Sequence, residues 1–157
     1  MENPHGTLSL EATIPAAPAV VYAFFSDPHQ TRQLQPFVRS VTVLKEHEVA
    51  GHQEIDFQAV EYVPMLGGLW KQRNVIEACW KLTEPPHRMQ ATAYSKPGVY
   101  LHIEYTYVEI PEGYTRLQLK IQWRAPRLFH NLVPRAARQA QSELLARLAN
   151  HFTSPSP

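Results

Sequence analysis

The chain predicts an α+β domain in which a strongly curved antiparallel sheet of about seven strands wraps one long C-terminal helix, in the order β-α-α-β6-α. Three observations predict it. In residues 99–107 the odd positions are Val99, Leu101, Ile103, Tyr105 and Tyr107, set against Tyr100, His102, Glu104 and Thr106. After the turn signal Pro111-Glu112-Gly113 the rhythm resumes, with Leu117, Leu119, Ile121 and Trp123 against Gln118, Lys120 and Gln122. Period two marks strands with one buried face. From Pro134 to Phe152 the period becomes helical: at about 100° per residue, Ala137, Ala140, Leu144, Leu145, Leu148 and Phe152 fall within an arc of about 140°. Between Val38 and Ala125 no helical period is sustained, and consecutive strands without helical crossovers pair mostly antiparallel.

The elements follow in order. Residues 7–14 form a first strand with Leu8, Leu10, Ala12 and Ile14 on one face, and Pro15 stops it. Pro18 suits the first turn of a short helix, where its missing N–H costs nothing, and Val20, Val21, Phe24 and Phe25 share one side of that helix. Asp27-Pro28 reads as an N-cap and first-turn proline opening a second short helix that Pro36 closes. Six strands then run over 38–46, 52–62, 71–82, 88–95, 98–110 and 114–125, separated at Gly51, Gly67-Gly68, Pro85-Pro86 and Pro97-Gly98. The last helix carries Glu143 and Arg147 as an i, i+4 pair in the favoured order. At about 1.5 Å per residue it spans roughly 28 Å, shorter than the two strands before it, so those strands should curl around it. The gap between a curled sheet and its helix is a candidate binding site.

The totals bound the rest. The 157 residues form one domain, with its core over 7–152 and a disordered tail at 153–157. Apolar content of 44% and charge of 18% argue against wholesale disorder. Net charge is +1 and the cations are scattered along the chain, so no nucleic-acid partner is expected. Cys79 stands alone, excludes an intramolecular disulfide and suits a reducing compartment. The N-terminus shows no signal-peptide pattern, and no run approaches the roughly 18 apolar residues that span a membrane. The expectation is a cytoplasmic protein without stable membrane insertion.

The order and patterns resemble the START-like, or SRPBCC, helix-grip superfamily, which includes polyketide cyclases, lipid-transfer domains and plant hydrophobic-ligand carriers. The resemblance covers Thr7 to Phe152. Its pieces are the Ile14-Pro15-Ala16-Ala17-Pro18 entry to the first helix, the Asp27-Pro28 break, the stretch Pro36-Phe37-Val38-Arg39-Ser40-Val41 and the Leu-rich closing helix. It implies a deep apolar cavity between sheet and helix. It carries no functional residue onto a numbered position, because such residues differ between branches.

Parity places the candidate site. Inward positions include Ile55, Phe57 and Ala59, then Asn74, Ile76, Ala78 and Trp80, then Tyr105, Tyr107 and Trp123. Small inward residues (Ala59, Ala78, Ala91, Ala93) among large ones leave volume; ordinary core packing is the competing reading of the aromatic set. Gln141 interrupts the apolar arc of the helix and is placed either to orient a ligand or to reach water at the helix margin. Glu61 points inward if the alternation holds through Tyr62. The loop Pro64–Trp70 is unusually apolar for a connection and suits a lid, an oligomer contact or a membrane-touching tip. The expected ligand-binding set is Phe57, Trp70, Asn74, Tyr105, Tyr107, Trp123, Gln141 and Leu144.

Three functional readings result. The first is binding or transport of a small hydrophobic molecule (lipid, quinone, polyketide or terpenoid-like) without catalysis. The second is a cyclase, dehydratase or hydrolase using the same cavity, with Tyr107 and Glu61 as candidate catalytic groups. The third is a protein-interaction module engaging through residues 64–70, and a homodimer is also compatible. No cofactor and no metal are expected. His47, Glu48 and His52 lie at a hairpin turn and lack metal-ligand spacing, and Cys79 falls on the outward register and reads as inert.

Overall fold

The computed structural model describes residues 3–153, with only the backbone of Met65 and Leu66. Its elements are β1 (His5–Ile14), α1 (Pro18–Phe25), α2 (Pro28–Arg32), β2 (Val38–Val49), β3 (His52–Met65), β4 (Trp70–Glu84), β5 (Arg88–Ser95), β6 (Val99–Glu109), β7 (Thr115–Arg124) and α3 (Leu132–Thr153). This is the α+β arrangement the alternation predicts. All strands join one antiparallel sheet in the order β1-β7-β6-β5-β4-β3-β2, with β1 and β2 at its edges.

Local chemistry accounts for the boundaries. Asp27 caps α2 through its carboxylate, which accepts from the His29 backbone N–H at 2.9 Å. The β2–β3 turn needs two residues with positive φ, supplied by Ala50 (51°) and Gly51 (87°). α3 begins at Leu132 rather than at Pro134, because a proline in the first helical turn removes only an N–H that has no intrahelical partner. α2 ends at Arg32, before Pro36. Thr153, expected in the tail, is the last helical residue, its hydroxyl donating to the Ala149 carbonyl at 2.7 Å. Ser154–Pro157 lie outside the described residues.

The sheet and helix define two ends. At the closed end lie the β2–β3, β4–β5 and β6–β7 turns, the β1–α1 junction and the C-terminal half of α3. Here Tyr22, Phe25, Met89, Tyr107, Leu144 and Leu148 pack to near-complete burial. Phe24 of α1 meets α3 at His151 (ring centroids 4.3 Å) and Phe152 (5.7 Å), so His151 is held in an aromatic stack although its edge faces water. At the open end lie the β3–β4 and β5–β6 turns and the N-terminus of α3. Of the strands, β1 runs nearest the α3 backbone. The helix therefore leans on one side of the curved sheet and stands away from the other.

Candidate functional site

The space left on that other side is a cavity of about 450 Å³ bounded by β2–β6 and α3. Side-chain size explains why it stays empty. Ala59, Ala78, Ala91 and Ala93 face it from three adjacent strands, and Ala136, Ala137 and Ala140 face it from the first half of α3. One turn further along α3 the residues become Leu144, Leu145 and Leu148, and the space closes. Phe57, Trp80 and Tyr105 form the floor. Phe57 meets Trp80 edge-on at 5.1 Å, and Phe25 lies behind the floor at 5.7 Å from Trp80 and 4.9 Å from Tyr105. The mouth is at the open end, where Gln72, Lys96, Pro97 and Leu132 combine cavity lining with exposure.

The lining is mixed: Gln35, Gln72, Thr92, Ser95 and Lys96 contribute polar groups, and so do Glu61, Asn74 and Gln141. Glu61 and Asn74 are cross-strand partners on β3 and β4, and the Asn74 amide donates to Glu61 Oε1 at 3.4 Å. Burial raises the Glu61 carboxyl pKa above its ordinary value, and the Asn74 hydrogen bond offsets part of that rise. Gln141 enters from α3. Its Oε1 is shut off from solvent, and no described residue donates to it. Tyr105 adds a phenol whose pKa burial moves upward, so it stays neutral.

Of the expected ligand-binding residues, the structure brings Phe57, Asn74, Tyr105 and Gln141 together around the cavity, with Glu61 beside them. The other four lie elsewhere. Tyr107 shares the parity of Tyr105 but sits two residues nearer the closed end. There its ring meets Tyr22 at 5.0 Å and its hydroxyl donates to the Met89 sulfur at 3.3 Å. Leu144 is buried below the aromatic floor. Trp123 leans across Gly6 of the neighbouring strand, where a Cβ would approach its Nε1 to 2.8 Å. Trp70 is about half exposed on the β3–β4 hairpin and is not among the residues lining the cavity. The lining that parity reasoning missed comes from loops and helix ends: Pro28, Gln35, Phe37, Pro97 and Phe129. Their sequence signals are the Asp27-Pro28 break, the Pro36–Val41 stretch and the Pro97-Gly98 turn.

Cys79 lies on the convex face, its thiol 3.6 Å from Glu54 Oε1. Burial first, then the Asp56 and Glu54 carboxylates, push that thiol up to about 12. Among the described residues no group of three or more His, Cys, Asp or Glu is placed to hold a metal ion. No described helix is long and apolar enough to cross a membrane.

A family model described as polyketide cyclase / dehydrase and lipid transport matches residues 5–153. Among solved structures, the Zhui aromatase/cyclase from Streptomyces sp. R1128 superposes with a TM-score of 0.74 at 14% identity, over 95% of this chain and 94% of that one. A START superfamily protein from Mycobacterium smegmatis gives 0.64 at 12% identity, over 92% and 97%. A protein from Thermus thermophilus gives 0.69 at 21% identity, over 97% and 100%. At these identities the likeness is one of fold. No curated protein matches the chain.

Proposed function

Because the chain belongs to the polyketide cyclase/dehydrase and lipid transport family, we propose that its cavity binds a small, largely apolar molecule carrying at least one polar group. Lipid, quinone, polyketide and terpenoid-like compounds all fit that description. The observation that carries the reading is the Gln141 amide oxygen, buried without a donor among the described residues, on a side chain that lines a largely apolar cavity. A buried polar group left unpaired costs about 1–3 kcal/mol, and a ligand hydroxyl or N–H would recover it. A volume of about 450 Å³ lies within the usual range for small-molecule sites. Burying about 300 Å² of ligand surface at roughly 25 cal/mol/Å² contributes about 7 kcal/mol, and ordering costs bring the expected affinity to the micromolar range.

A second reading, cyclase- or dehydratase-like catalysis, is favoured by Glu61. A carboxyl whose pKa is raised by burial beside a largely apolar chamber suits acid–base work at a carbonyl or hydroxyl, with Asn74 holding its orientation. Tyr107 has no place in that scheme, since its hydroxyl is sealed against Met89.

Native mass spectrometry of freshly purified protein, followed by organic extraction, tests both. A stoichiometric apolar molecule supports the carrier reading and identifies its ligand. Conversion of an offered polyketide-like compound that is lost in Glu61→Gln supports the enzymatic one. An apo mass combined with no thermal shift from any apolar compound refutes cavity binding altogether.

A further inference from the structure

We propose that the open end of the sheet is a docking surface for an anionic lipid bilayer, with Leu69 and Leu128 as its inserting side chains and a ring of cations around them.

Cations scattered in the sequence are gathered by the fold. The segments that build the open end, residues 37–41, 62–74, 94–101 and 122–138, carry eight Lys or Arg and no Asp or Glu. All eight are exposed. The segments that build the closed end, residues 10–17, 45–56, 81–89, 104–117 and 142–153, carry ten Asp or Glu and five Lys or Arg. A net charge of +1 thus conceals a molecule polarised along its strands. Two carboxyls lie beside these segments: Glu61 faces the cavity, and Glu77, the cross-strand partner of Tyr94, is exposed outside it.

The apolar side chains segregate the same way. Leu128 at 86% and Leu69 at 83% are the most exposed large apolar residues described, and both flank the cavity mouth. Leu69 stands at the tip of the β3–β4 hairpin with Trp70, about half exposed, beside it; Leu128 stands in the 3-10 turn Arg127–Phe129 that leads into α3. Val63 and Gln72 on the same hairpin as Leu69, and Phe129 and Leu132 just after Leu128, line the cavity. Projecting leucines and an interfacial tryptophan among Lys and Arg match the two layers of a bilayer surface, acyl boundary below and anionic headgroups above. A second copy of the chain is a poor occupant, since two such rims face to face would set eight cations against eight. Single-stranded nucleic acid is held by stacking aromatics along a basic groove, whereas the two most exposed apolar side chains here are leucines. The surface stands on the rim alone, whatever occupies the cavity.

The test is co-sedimentation with vesicles of phosphatidylcholine alone and of phosphatidylcholine mixed with phosphatidylglycerol. The expected result is partition into the mixed vesicles only, falling in about 0.5 M salt as the charges are screened. The double variant Leu69→Ser/Leu128→Ser should lose at least tenfold in affinity, and Lys71→Gln/Arg73→Gln about fivefold for each charge removed. These four side chains are exposed and lie outside the cavity lining, and unchanged thermal unfolding of each variant establishes that its fold is intact. Brominated lipid should quench Trp70 emission, an effect that Trp70→Phe removes. No partition into the mixed vesicles at low ionic strength overturns the proposal. So does binding that the leucine variant leaves unchanged, which would mean adsorption by charge without insertion.

Discussion

Gln141→Leu should stabilise the ligand-free protein and weaken ligand binding in the same molecule. The Gln141 Oε1 is buried without a donor, and such a group costs about 1–3 kcal/mol. Leucine has a similar volume and places a methyl group where that oxygen sits, facing a wall rich in alanine. The low end of the range is taken, because Gln141 lines a cavity and the replacement side chain packs on one side only, so the expected gain is about 1 kcal/mol. For a chain of this length that corresponds to roughly 2–4 °C in Tm. On the ligand side the variant leaves a ligand donor unpaired, a loss of about 1.4 kcal/mol or tenfold in Kd. The assay is thermal unfolding by circular dichroism of protein stripped by organic extraction and refolded, alongside titration with the compound recovered from native protein. Gln141→Ala serves as the volume control, since it removes the amide but enlarges the cavity. A Gln141→Leu protein that melts lower than the parent, or binds the recovered compound equally well, refutes the assignment of this amide to a ligand.

Other outcomes follow from the same geometry. Glu61 has a folded-state pKa above its unfolded one, so the native state holds a proton that the unfolded state releases as pH rises above about 4.5. That contribution is fully present below the unfolded pKa and is lost as pH rises through the folded one; Tm differences between Glu61→Gln and the parent should therefore grow in the variant's favour with increasing pH, and a pH-independent difference would contradict a desolvated carboxyl. Cys79, with its thiol pushed up to about 12, should react slowly with iodoacetamide at neutral pH and rapidly once the protein is unfolded, as intact-mass measurement would record. Gly6→Val should cost about 1–3 kcal/mol by driving a side chain into the Trp123 ring, where even a Cβ lies 2.8 Å from Nε1. Chemical denaturation would show it as a lower midpoint with an unchanged slope.

The parts of this molecule that the sequence makes legible are those with a local period. The alternation through residues 99–107 and 117–123 requires only that one face be dry, and β6 and β7 form where it runs. The alanines at 59, 78, 91 and 93 were legible as missing volume for the same reason, since each falls on the inward parity of its strand. Parity does not say how far along a strand a residue sits relative to the covering helices, and Tyr105 and Tyr107 show the consequence. They point the same way, yet one lines a cavity while the other lies under α1, because Tyr22 and Phe25 fill only the closed end. On α3, Gln141 and Leu144 are three residues apart on one face and fall on opposite sides of the aromatic floor. Trp123 sits beside a glycine across the strand pair, a neighbour known only once β1 is paired with β7. The cationic rim is the extreme case. Its members come from four separate stretches of chain and meet only because the strand ends alternate through the sheet.

The β1–β7 pairing has a further consequence, for how the chain comes to be folded. Its register joins Ile14 to Thr115 and His5 to Arg124, contacts that close loops of roughly a hundred residues. The other five strand pairings join neighbours in sequence, so this one pairing carries the largest loop-closure cost in the sheet. During synthesis β1 emerges first and has no sheet neighbour until β7 follows, while the concave face waits still longer for α3. A nascent chain stopped before residue 115 therefore exposes an unpaired edge and an uncovered apolar sheet at once, the two features that most favour aggregation. Placing new termini in the β4–β5 turn and joining Thr153, at the closed end, to His5, at the open end, through a flexible linker long enough to span about 30 Å would make β1, β7 and α3 near neighbours in sequence. Such a permutant should refold faster than the parent while keeping the same cavity.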